Sequence, residues 1–151
     1  MVPKAEMKSR SLLWLYLLFG AVILSLVVWT SLRTMRDTPT REASVDLPGT
    51  GIVIVRFSTD PFPPLPSGTV LLNFMPTNSR NVMIDLGQAL TFTYGYKGND
   101  APIGSGQAVM DDMGMNYQAG VQFPVVGDYW LALDLGNGKQ VRFQFYVEPA
   151  Q

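Results

Sequence analysis

Residues 129–147 read YWLALDLGNGKQVRFQFYV, and the reading of this stretch decides the fold. Tyr129, Leu131, Leu133 and Leu135 alternate with Trp130, Ala132 and Asp134; further on, Val141, Phe143, Phe145 and Val147 alternate with Arg142, Gln144 and Tyr146. A period of two is that of a strand with one buried face. Gly136-Asn137-Gly138 separates the runs, and Asn-Gly tolerates the positive φ of a type I′ turn, so the stretch predicts a β-hairpin.

Working outward, the same period recurs at 51–59, 69–75, 89–96 and 117–123, with shorter pieces at 82–86 and 107–110. Turn residues separate these runs and no amphipathic helix interrupts them, which predicts seven or eight strands over about 100 residues. The expected fold class is therefore all-β: an immunoglobulin-like antiparallel sandwich over 49–151, preceded by one N-terminal transmembrane helix. Residues 60–68, DPFPPLPSG, are expected as an extended loop, because proline cannot donate to a ladder.

The helix rests on a different signal. From Ser11 to Leu32 the sequence SLLWLYLLFGAVILSLVVWTSL carries no charge, and such a run rising about 1.5 Å per residue crosses a bilayer. Trp14, Tyr16 and Trp29 stand near its ends, and Lys8, Arg10, Arg33 and Arg36 bracket it. A cleaved signal has a shorter apolar core and a small-residue site after it, so an uncleaved anchor is the expectation. The basic flanks tie, with Lys4, Lys8 and Arg10 against Arg33, Arg36 and Arg41. The free amino group and the short leading tail favour a cytoplasmic N-terminus. The expected organisation is a tail at 1–10, the helix at 11–32, a linker at 33–48 and the sandwich. Gly20, Ala21 and Ser25 bring small side chains together on the helix, where a second helix could approach closely.

Composition excludes much chemistry. The 151 residues include no cysteine and no histidine, which removes thiolate metal sites, disulfides, the commonest general base and any histidine triad. Ser58, Ser67, Ser79 and Ser105 thus lack an activating histidine, and Asp111 and Asp112, adjacent on a strand, would point to opposite faces. No enzyme activity and no cofactor are expected. Residues 43–151 hold five Lys/Arg against nine Asp/Glu, so nucleic acid is not an expected partner. Asp60, Asp100, Asp128 and Asp134 could attract a basic carrier or simply keep the domain soluble. Met110, Met113 and Met115 form a methionine loop; thioethers suit Cu(I), whereas methionine also fills irregular core gaps. The apolar loop Phe123, Pro124, Val125 and Val126 is expected as a subunit contact.

The order of an N-terminal anchor, PLPSGTVLLNFMP, ALTFTYGY, QAVMDDMGMNYQAGVQF and VGDYWLALDLGNGKQVRFQFYV resembles the YtkA-like and FixH-like group of membrane-anchored immunoglobulin-like domains. The resemblance spans residues 50–148. It implies a bacterial respiratory membrane, with the domain on the outer, periplasmic side of the inner membrane. The expected function is that of a non-catalytic accessory subunit of a membrane electron-transfer complex, such as alternative complex III or a terminal oxidase, stabilising it or helping to dock a soluble electron carrier. Two alternatives stay open: a Cu(I) carrier or oxidase assembly factor using the methionine loop, and an anchored adhesion or carbohydrate-binding module with Trp130 or Tyr146 as its platform.

Overall fold

A computed structural model describes residues 4–36 and 39–150, and the chain divides into two compact units, Met1–Asp37 and Thr38–Gln151. In the first, helix α1 runs unbroken from Lys4 to Arg36. Its apolar run has no proline to interrupt the backbone ladder. Leu12–Leu32 is long and apolar enough to cross a membrane by length and composition. Residues 4–10, expected as a tail, continue the same helix; residues 1–3 of that tail, and 37 and 38 of the expected linker, lie outside the described residues.

The second unit holds eight strands: β1 Thr40–Leu47, β2 Gly51–Asp60, β3 Val70–Thr77, β4 Leu90–Tyr96, β5 Gly104–Met110, β6 Tyr117–Val121, β7 Gly127–Asp134 and β8 Gln140–Val147. Two expectations are corrected. The linker 33–48 is largely structured, because β1 pairs with β2 along its whole length, from Thr40 opposite Ser58 to Leu47 opposite Gly51. Ala43, Val45 and Leu47 turn inward while Glu42, Ser44 and Asp46 face solvent, a thin apolar stripe suited to an edge strand. The piece at 82–86 is no strand, since only Met83 makes a bridge, to Thr77.

All pairings are antiparallel, in the order β1-β2-β3-β6-β5-β4-β7-β8. Strands β4 to β7 make a Greek key: β4, β5 and β6 form a meander and β7 returns beside β4. β1 and β8, the ends of that order, lie against each other, so the sheet nearly closes on itself. The β7–β8 hairpin forms as expected. Asn137 and Gly138 have φ of 54° and 70°, and the Lys139 N–H bonds the Gly136 carbonyl at 2.9 Å.

The inward residues of the expected alternation meet in one core. Phe57 stacks on Phe74 at 5.3 Å and meets Phe143 and Phe145 at 5.1 and 5.4 Å, joining strands from both halves of the sheet. Burying each such side chain contributes roughly 1.5–3 kcal/mol. Two connections, 78–89 and 122–126, cross between the halves of the sheet, and each is pinned by a core tyrosine. The Tyr117 hydroxyl accepts from the Leu86 N–H at 2.9 Å and donates to the Asp85 carboxylate at 3.1 Å. The Tyr129 hydroxyl donates to the Val125 carbonyl at 2.7 Å and accepts from its N–H at 3.3 Å. Burial raises the Tyr117 pKa and pushes that of Tyr129 up to about 12. In the loop after β2, the Asp60–Pro61 and Phe62–Pro63 peptide bonds are cis.

Candidate functional site

An apolar side chain is favourable only where water is excluded, so the exposed apolar surfaces are the first places to look for function. The largest belongs to α1: none of its Leu12–Leu32 stretch is buried within the chain. One face of the helix carries a shallow, open depression lined by Leu18, Ala21, Val22, Ser25, Leu26 and Trp29. The hollow arises because Ala21 and Ser25 are short while residues three and four positions away are long, and residues so spaced share a helix face. Ala21 and Ser25, four positions apart, share this face. Gly20, one position and about 100° round the helix, does not line the hollow. Leu18, Val22, Leu26 and Trp29 were missed: Trp29 lies four positions after Ser25, whereas Leu18, Val22 and Leu26 form a neighbouring row of their own at the same spacing. The Thr30 hydroxyl donates back to the Leu26 and Val27 carbonyls, which spares its polar group in an apolar run.

The methionines of the loop lie in different surroundings. Met110 ends β5 and packs against the core, whereas Met113, 76% exposed, and Met115 project from the hairpin tip between β5 and β6. That tip is built around Asp111. Its carboxylate accepts from the Met115 and Asn116 N–H groups at 2.8 and 3.3 Å, and the first of these bonds leads in lowering its pKa. Thus Asp111 shapes a turn. Among the described residues, no group of three or more His, Cys, Asp or Glu side chains could hold a metal ion.

The expected subunit contact at 123–126 divides. Phe123 is 1% exposed and plugs the end of the core against Tyr94, Tyr129 and Phe145, with ring centroids 5.6, 5.0 and 5.3 Å away. It offers no surface to a partner, because a Greek-key connection crossing the barrel end closes it with the one large side chain it has. Pro124, Val125 and Val126 are exposed. The four aspartates weighed as a docking patch do not all lie together. Strand register puts Asp60, Asp100 and Asp128 at the end of the sheet where β1 begins, and Asp134 at the other.

Trp130 is no free platform. Only 6% of it is exposed; its Nε1 donates to the Asn99 carbonyl at 2.7 Å, and the Arg142 guanidinium lies 4.4 Å over the ring. Arg142 also reaches Asp100 at 3.5 Å. Gly95 makes the ring's place: a Cβ there would lie 2.8 Å from the indole, so no larger residue fits without a shift. Tyr146 is half-buried on β8.

Comparison of the chain with protein-family models, with curated proteins and with solved structures gives no match. The likeness to the YtkA-like and FixH-like group accordingly rests on the residues quoted for it.

Proposed function

We propose that this chain is a non-catalytic, single-pass accessory subunit of a bacterial membrane electron-transfer complex. In this reading α1 is an uncleaved anchor in the inner membrane, with the N-terminus cytoplasmic and the β-domain on the periplasmic side. The observation that carries the reading is the uncovered apolar surface of α1, with its hollow over Ala21 and Ser25. In lipid, helices associate through close packing, and short side chains flanked by long ones allow a partner helix to come near. The electron-transfer setting comes from the resemblance alone. We read the domain as immunoglobulin-like; the Greek key and the Tyr129 hydroxyl bonding backbone four residues upstream, as in a tyrosine corner, support this. Both roles, stabilising the complex and helping to dock a carrier, belong to this reading: Asp60, Asp100 and Asp128 share one end of the domain and Asp134 lies at the other.

The test uses the chain in its native membrane, extracted in mild detergent and run on native gels. The unmodified chain should comigrate with a haem-containing complex. Ala21→Leu with Ser25→Leu keeps α1 apolar and fills the hollow, so the double variant should insert, fold and migrate apart. An unmodified chain that always migrates without a haem protein refutes the subunit reading. Because the chain has no cysteine, Ala5→Cys and Asn99→Cys report orientation: an impermeant maleimide on intact spheroplasts should label only position 99.

A further inference from the structure

Strand register sorts the loops of the β-domain to two ends. At one end lie 48–50, 78–89, 111–116 and 136–138; at the other lie 61–69, 97–103, 122–126, the residues after Val147, and Thr40, where the chain enters β1. At this second end three separate loops each present exposed apolar side chains: Phe62, Ile103, and Val125 with Val126. These loops are fixed in place. The Ile103 N–H bonds the Tyr94 carbonyl at 2.8 Å, the Glu148 N–H bonds the Pro64 carbonyl at 2.9 Å, and Tyr129 holds Val125.

Both ends expose apolar tips, since Val82, Met113 and Met115 stand at the first end. What distinguishes them is the covalent chain. Only residues 37–39 separate the end of α1 from Thr40, and an extended chain covers at most about 3.6 Å per residue. With Leu12–Leu32 across a bilayer, residues 33–36 at about 1.5 Å each and the steps to Thr40 at no more than about 3.6 Å each keep Thr40 within about 20 Å of Leu32. The opposite end of the domain is a strand length from Thr40, roughly 20 Å or more, so the end at Thr40 is the one the tether holds closest.

We infer that the end of the β-domain carrying Phe62, Ile103, Val125 and Val126 is seated on the lipid surface, its apolar tips entering the interfacial layer of the bilayer. This rests on α1 being a membrane anchor, and it makes lipid, in place of another subunit, the occupant of the exposed part of the 122–126 loop. The lipid it fits is neutral. Asp60, Asp100, Asp128 and Glu148 outnumber Arg41, Lys97 and Arg142, which reaches Asp100, at this end, so an anionic surface adds repulsion and the attraction is apolar burial.

The absence of cysteine allows a direct test on the full chain reconstituted in phosphatidylcholine vesicles. Single cysteines replacing Val22, Phe62, Ile103, Val125 or Met113 are labelled with a water-sensitive fluorophore, and lipids with brominated acyl chains serve as quenchers. Position 22 should be strongly quenched; 62, 103 and 125 should be quenched and blue-shifted; position 113 should resemble the free dye in water. Phe62→Ser with Val125→Ser changes exposed side chains only, and should abolish quenching at 103. Replacing part of the phosphatidylcholine by phosphatidylserine should not increase quenching. If 62, 103 and 125 match 113 while 22 is quenched, the seating is refuted and the anchor stands. If they are blue-shifted but unquenched, a second copy of the chain covers them and the inference is overturned. If 22 itself escapes quenching, the anchor reading fails and the seating fails with it.

Discussion

The two connections that cross between the halves of the sheet solve one problem differently. Segment 78–89 lays Met83, Ile84 and Leu86 shallowly against the core and ties its backbone to Tyr117, with the Asp85 carboxylate completing the hydroxyl's bonds. Segment 122–126 drives Phe123 deep among aromatic rings and ties its backbone to Tyr129 through Val125 alone. A twelve-residue connection can spread its burial over several half-covered side chains. A five-residue one concentrates it in a single plug, which leaves the rest of the loop to face outward.

This contrast breaks most readily at the plug. Phe123→Ala removes a fully buried ring and should cost about 3–5 kcal/mol, whereas Leu86→Ala, half-covered, should cost about 1–2 kcal/mol. Denaturant unfolding of the detergent-solubilised chain, followed by near-ultraviolet circular dichroism, measures both. Equal losses would show that the shorter connection does not depend on one residue.

Alkali should sharpen the same contrast. A tyrosine whose folded pKa lies above its unfolded value adds stability that is fully present below about pH 10 and is lost as pH rises through the folded pKa. For Tyr129 that window runs from about 10 to about 12, and the loss is on the order of 2 kcal/mol. Tyr117 is raised in the same direction, also by burial. Unfolding midpoints at increasing pH should therefore fall, and Tyr129→Phe should flatten that fall. No flattening would place the alkaline sensitivity elsewhere.

The smallest expected effects are those of the hydroxyls at neutral pH. Tyr117→Phe and Tyr129→Phe should each cost about 1 kcal/mol, the usual worth of the lost bonds. They sit at opposite ends of the domain, so the double variant should equal the sum of the singles within about 0.5 kcal/mol. A larger discrepancy would mean that the two connections share a network.

Most of the strands were legible because their signals are local. The period of two in 129–147 needs no knowledge of the partner strand, and Asn137-Gly138 names its own turn. β1 was not legible: Thr40–Leu47 carries Arg41, Glu42 and Asp46 and offers only Ala43, Val45 and Leu47 inward, so its composition is that of a linker. Pairing with β2 outweighs that composition, because a strand at a sheet edge needs only one modestly apolar face. The candidate site shows the same division. Ala21 and Ser25 could be placed on one face by helical spacing alone, whereas Met110, Met113 and Met115 are neighbours in sequence that the hairpin sends to different surroundings.

The sequence by itself determined that one helix of membrane-spanning length precedes an antiparallel β-domain, since an uncharged apolar run and strict alternation each impose one backbone geometry locally. It also determined the absence of cysteine and histidine chemistry. Only the tertiary structure decided that Phe123 is core while Val125 is surface, that Trp130 is covered by Arg142 and the Asn99 carbonyl, and which loops share an end. Burial depends on what distant segments bring to the same place, and the Greek-key order that sets those meetings is written in no single stretch of the chain.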